Sequence, residues 1–182
     1  MMIALFSPLN AQDLKTPRPV SPSAKVKQTV GLSSVTVSYS RPKVTLRGSD
    51  RTDAIWGQQI LYSTPKSGSE EAKEVVWRAG ANENTIISLS DDAKIEGKEL
   101  KAGSYGLHML VYEGNKATLI FSSNTSSWGS FHYDKNEDVL RVDVSMQDIV
   151  NTELLSYDFI DYGRDYTVLA LSWEKKRIPF KI

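Results

Sequence analysis

Cysteine is absent from these 182 residues. The chain therefore forms no disulfide, offers no thiolate to a metal and has no cysteine nucleophile. Histidine is almost missing too, with two in the whole sequence, at positions 108 and 132. Net charge is missing as well, because 22 basic residues offset 22 acidic ones. A nucleic-acid binder needs a basic face to neutralise phosphates, and an anionic membrane needs a polybasic patch. Neither partner is therefore expected. No apolar run has the length of a bilayer-spanning helix, so no membrane span is expected either.

What is present begins with MMIALFSPLNAQ. Residues 1–9 are mostly apolar, and Asn10-Ala11-Gln12 has the small-residue character of a secretory cleavage region, without a basic leader before it. Residues 1–12 are expected to be a truncated signal peptide, and the protein to be periplasmic or secreted. Residues 13–23, DLKTPRPVSPS, hold three prolines and are expected to be an extended linker. Residues 24–182 suffice for a single domain with its own core.

The dominant period in that domain is two. SVTVSYS places Val35, Val37 and Tyr39 on one face, and Pro42 ends its ladder. Glu96-Gly97 lies between two short alternating runs as a tight hairpin signal, and Glu113-Gly114-Asn115 does the same before residues 116–122. Further runs cover 85–90, 104–112, 139–145, 154–160 and 166–174. About nine strands at this spacing predict an all-β fold, an antiparallel β-sandwich of jelly-roll-like form. One or two short helices are expected, over 53–60 and 146–151. Residues 47–74 are polar and read as a long excursion, a kind of segment that often carries function.

Six motifs occur in order: SYSRP (38–42), VWRAGANENT (76–85), AGSYGLHML (102–110), WGSFHYD (128–134), DVLRVDV (138–144) and the terminal LSWEKKRIPFKI (171–182). Together they resemble the exported bacterial family known as domain of unknown function 2911, over nearly the whole chain from Ser21. The family's opening motif commonly has threonine where Ala79 stands. The resemblance implies export but brings no assigned reaction.

The strongest site candidate is WRAGANENT. Alternation turns Trp77 inward and Arg78 outward, Gly80 permits an unusual backbone conformation, and Asn82 makes a turn. Arg78, Asn82 and Glu83 form either a fork for an anionic ligand or a structural network in which Arg78 pairs with Glu83. His108 leaves its strand opposite Leu107 and Met109, either lining a pocket beside Gly106 or packed between strands. If the strand carrying Arg78 lies beside that of His108, both reach one cleft, and replacing either by alanine should spare the fold. Trp128, Phe131 and Tyr133 offer an aromatic platform for a sugar, or simply pin their loop. The ligand-binding set is thus Arg78, Asn82, Glu83, His108, Trp128 and Tyr133, and the partner it would take is a small polar ligand or glycan.

No metal and no cofactor are expected. The 24 residues between His108 and His132 lack a metal-ligand spacing, and DKNED at 134–138 fails as a calcium loop because Val139 stands at its glycine position. Ser130 and His132 do not make a triad, and no GxSxG elbow exists. The expected function is an exported ligand-binding sandwich, taking a glycan or an envelope fragment. The alternatives are a hydrolase of envelope carbohydrate or acyl groups, and a structural or protein-interaction domain.

Overall fold

The computed structural model describes residues 20–65 and 71–182. The expected signal peptide and all but the last residues of the expected linker lie outside the described residues. Ten strands follow: β1 (Ser23–Val30), β2 (Ser33–Ser40), β3 (Thr85–Leu89), β4 (Ala93–Ile95), β5 (Lys98–Leu100), β6 (Gly103–Tyr112), β7 (Lys116–Ser122), β8 (Asp138–Ser145), β9 (Gln147–Tyr162) and β10 (Thr167–Lys181). They form a six-stranded sheet in the order β1-β2-β3-β6-β7-β8, a long β9–β10 ribbon and a small β4–β5 hairpin. Every pairing between these strands is antiparallel.

The alternation that makes these strands also makes the two layers. Val35, Val37 and Tyr39 are buried on β2, as are Ile87 on β3, Leu107 and Met109 on β6, and Leu119 and Phe121 on β7. Facing them, the ribbon contributes Leu155, Tyr157, Leu169, Leu171, Trp173, Ile178 and Phe180 to one hydrophobic cluster. Each such aliphatic or phenylalanine side chain stabilises the fold by about 1.5–3 kcal/mol over leaving it exposed. At one end of the core Trp77 stacks on Trp173 at 6.2 Å, and Trp56 meets Trp77 edge-on at 5.7 Å. The chain passes from the large sheet to the ribbon at buried Met146, the single residue between β8 and β9.

The two expected helices do not form. Asp53 and Gly57 have φ of +62° and +83°, far from the helical value near −63°, so residues 53–60 make successive turns. Residues 147–151 open β9 instead, paired to β10 through Gln147–Arg177 and Asp148–Lys176. The only helical piece among the described residues is a 3-10 turn at Lys135–Glu137, begun by Asp134, whose side chain accepts from the Asn136 amide. Among the described residues no helix is long and apolar enough to cross a membrane.

Tyr157 ties the layers with a polar bond inside the core. Its hydroxyl donates to the Ala79 carbonyl at 2.9 Å, and Thr85 Oγ1 donates to the same oxygen at 3.1 Å. Tyr157→Phe leaves that carbonyl one partner, so the expected loss is about 1 kcal/mol. Urea denaturation measures it. A loss above about 3 kcal/mol would mean that the hydroxyl supports more than this bond.

Candidate functional site

The outer face of the large sheet carries the polar residues of interest. Trp77 and Met109 exchange backbone hydrogen bonds of 2.9 and 2.8 Å as an antiparallel pair, along the edge of β6 that β3 occupies further on. Trp77 therefore shares the core face with Met109. Arg78, the next residue, falls on the outer face opposite His108. Between Arg78 and β3 the chain makes a compact turn with Ala79 and Asn82 at φ of +50° and +60°. Gly80 does not adopt such a conformation. It is needed for space, since a Cβ there would lie 2.7 Å from Thr85 Oγ1.

Residues 123–134 fold back over this face. Asn124 anchors the loop: its Nδ2 donates to the Glu137 carboxylate at 3.1 and 3.2 Å, and its Oδ1 accepts from the Ser126 and Ser127 amides. Asn84 Nδ2 donates to the Asn124 carbonyl at 3.2 Å. That carbonyl lies directly on Gly106, where a Cβ would come within 2.4 Å of it. Any side chain at 106 would lift the loop off the sheet.

Under this cover His108 is 2% exposed. Its Nδ1 shares a 2.9 Å hydrogen bond with Ser130 Oγ, and its ring meets that of Tyr133 edge-on at 5.6 Å. Burial holds its pKa down at about 4; Asp138 pulls it up and Arg78 pushes it down. The imidazole is therefore neutral at pH 7, with one ring nitrogen a donor and the other an acceptor.

Two arginines on this face have opposite circumstances. Arg141 is saturated. It grips Glu74 in a bidentate pair at 2.8 and 3.0 Å, donates from Nε to Asp138 Oδ2 at 2.6 Å, and reaches Tyr133 Oη at 2.7 Å. Tyr133 also donates to Asp138 Oδ2 at 2.6 Å. The Arg141–Glu74 pair raises the Arg141 pKa above the ordinary guanidinium value and lowers the Glu74 carboxyl. Burial raises the Tyr133 phenol.

Arg78 has no such partner. Its guanidinium donates to the Asn82 carbonyl, lies 4.9 Å over the Phe131 ring and is pressed by Gly129, where a Cβ would come within 2.1 Å of its Cζ. Burial lowers its pKa, and no carboxylate among the described residues pairs with it to offset that.

The structure thus brings Arg78, His108 and Tyr133 together under one loop. Asn82 points elsewhere, its Nδ2 donating to the Ser21 carbonyl at 3.1 Å. Glu83 is half-buried and makes no ion pair with Arg78. Trp128 stays 49% exposed on the loop. His132 is exposed while His108 is enclosed, and no group of three His, Cys, Asp or Glu among the described residues can hold a metal ion. Because His108 is enclosed, replacing it by alanine would leave a cavity, contrary to the expectation that its loss spares the fold.

Sequence alone does not show Ser130 as the partner of His108, nor the parts played by Asn84, Asp138 and Gly129. The glycine two residues before an outward histidine was the only local signal. Two open depressions of about 750 and 1120 Å³ lie elsewhere, one lined by Ser34, Asp91 and Tyr166, the other by Tyr62, Tyr112 and Gln147. Neither reaches Arg78 or His108. In the first, Lys101 is paired with Asp92 at 2.7 Å.

No curated protein and no solved structure matches this chain. Residues 21–182 match the family model described as Protein of unknown function (DUF2911), and the chain belongs to that family.

Proposed function

We propose that the protein binds a small anionic ligand on the outer face of its large sheet, with Arg78 as the anchor. The observation that carries this reading is a half-buried guanidinium with no carboxylate partner among the described residues. A desolvated, unpaired cation is costly, and an anion held by its planar fork would repay that cost. Phe131, 73% exposed and 4.9 Å from the guanidinium, supplies apolar surface beside the charge. This favours a carboxylate- or phosphate-bearing molecule, such as a charged envelope or glycan fragment, over a neutral sugar. Calorimetric titration with monocarboxylates, inorganic phosphate and neutral monosaccharides tests the proposal. An anion should bind, and Arg78→Gln should weaken it at least tenfold. Equal binding by Arg78→Gln, or binding of neutral sugars alone, would overturn the reading.

One observation favours a hydrolase: Ser130 Oγ and His108 Nδ1 stand 2.9 Å apart, a nucleophile–base distance. Burial works against it, because an imidazole titrating near 4 is a weak base at pH 7. Labelling of Ser130 by a fluorophosphonate would favour catalysis; an unlabelled protein leaves the binding reading. Export is a further proposal, supported by the apolar start and the proline-rich stretch after it. Recovery of the protein from the cytoplasmic fraction alone would contradict it.

A further inference from the structure

β1 closes one side of the large sheet and pairs only with β2, in a register without bulges. The Arg41 amide donates to the Pro22 carbonyl at 2.9 Å, which fixes the phase of that ladder. Ala24, Val26, Gln28 and Val30 therefore turn their backbone groups toward β2, and Ser23, Lys25, Lys27 and Thr29 turn theirs away. Among the described residues no other strand or loop bonds these outward groups through its backbone. The Thr29 carbonyl accepts instead from Gln28 Nε2 at 3.2 Å, which closes the free run at that end.

The side chains follow the same alternation. Lys25 and Lys27 are exposed on the outer face, and neither pairs with a carboxylate among the described residues. Ala24 and Val26 face inward but are only half-buried where they pack against the core. Such an edge offers a ladder to pair with and an inner face to cover. A second copy of β1 fits it badly. In the antiparallel register that overlaps the whole strand, Lys25 of each copy stands opposite Lys27 of the other, and like charges directly opposed destabilise a pair. The chain before β1 is no better, since residues 17, 19 and 22 are prolines with no N–H to give.

We propose that β1 is a docking edge for an extended segment of another protein whose sequence reads acidic–apolar–acidic. The two acidic residues lie opposite Lys25 and Lys27 on the outer face, and the apolar residue between them turns inward beside Val26. Bonds to the outward backbone groups of Ser23, Lys25 and Lys27 hold the segment, and the two lysines select its sequence. Arg78 takes no part in this surface, so the proposal stands apart from the anion-binding reading.

The test is NMR titration of the full-length chain with the heptapeptide Thr-Val-Glu-Val-Glu-Val-Thr, acetylated and amidated at its ends. In the free protein the amides of Lys25, Lys27 and Thr29 should exchange quickly with solvent, and those of Val26 and Gln28 slowly. With the peptide, the fast amides should shift and become protected. The counterpart Thr-Val-Lys-Val-Lys-Val-Thr should bind about tenfold more weakly, and Lys25→Glu together with Lys27→Glu should reverse the preference. Methylating the two glutamate amide nitrogens should abolish binding. Methylating that of the central valine, which points away from β1, should spare it. The peptide series runs on the unaltered protein, so it does not depend on the variant folding. Equal binding of both peptides, no binding of either, or binding that survives methylated glutamates would each overturn the proposal. Outward amides already protected in the free chain would overturn it too. Sedimentation would then assign the edge to a second copy if the protein is a dimer, and to the residues before β1 if it is a monomer.

Discussion

Trp173→Ala is expected to destabilise the protein by about 3–5 kcal/mol, the range for deleting a large, fully buried aromatic. Trp173 is 1% exposed, stacks on Trp77 at 6.2 Å and meets Trp56 at 6.3 Å. The ribbon and the large sheet meet through this cluster, and both partners are too large and too constrained to fill the space. The loss also reaches the outer face. Trp77 and Arg78 are consecutive on one extended segment, so a Trp77 without its stacking partner no longer sets where Arg78 stands. Chemical denaturation gives the energy, and Val150→Ala, at an 87% exposed position, serves as a control expected to change stability by less than about 0.5 kcal/mol. A loss below about 1 kcal/mol for Trp173→Ala would show that the cluster does not join the layers.

Acid should weaken the fold in a window that belongs to His108. In the unfolded chain its imidazole takes a proton near pH 6.5, and in the folded protein only near pH 4. Between these values the unfolded chain binds more protons, so stability falls as pH drops from about 6.5 to 4. Above the window the group contributes no slope, and below it the loss is complete. The shift corresponds to roughly 3 kcal/mol, at about 1.4 kcal/mol per pH unit. The groups facing the ring set its limits: Asp138 moderates the shift, and Arg78 and burial enlarge it. Glu74 acts lower on the scale, since its lowered carboxyl gives up stability as pH falls below the ordinary glutamate range. Denaturation curves between pH 4 and 7 should slope in the wild type and lie nearly flat in His108→Gln. An equal slope in both proteins would sink the assignment.

Much of the large sheet was legible because its signals are local. Glu96-Gly97 and Glu113-Gly114-Asn115 fix turns by their own conformational preferences, and β4, β5 and β7 begin and end where those turns dictate. β1 escaped because its inner face, Ala24, Val26, Gln28 and Val30, is only half-buried and is interrupted by Gln28. The ends of β9 and β10 escaped for another reason. Their pairing shifts register at Glu174, which is 2% exposed with φ of +52°, and a bulge scrambles the inward–outward alternation that a period-two reading depends on.

For the site, alternation alone placed Arg78 opposite Trp77 and His108 opposite Met109. What it could not supply was the cover. Ser130 reaches His108 from 22 residues away, and the loop that carries it is held by Asn84 and Glu137, which are distant from each other in sequence. Whether an outward histidine is open or sealed is decided by such long-range contacts.

The division into a sheet and a later ribbon also sets an order of manufacture. Translation completes the six-stranded sheet by Ser145, before any of β9 or β10 exists. Until Leu155, Leu169, Leu171, Trp173, Ile178 and Phe180 arrive, the face made by Val37, Ile87, Leu107, Met109, Leu119 and Phe121 lacks its main covering layer. A nascent chain at that stage presents a broad sticky surface, the kind that holdase chaperones protect and that seeds aggregation when they are scarce. A premature stop soon after Ser145 would freeze the protein in that state, so such truncated products should be cleared or insoluble rather than partly active.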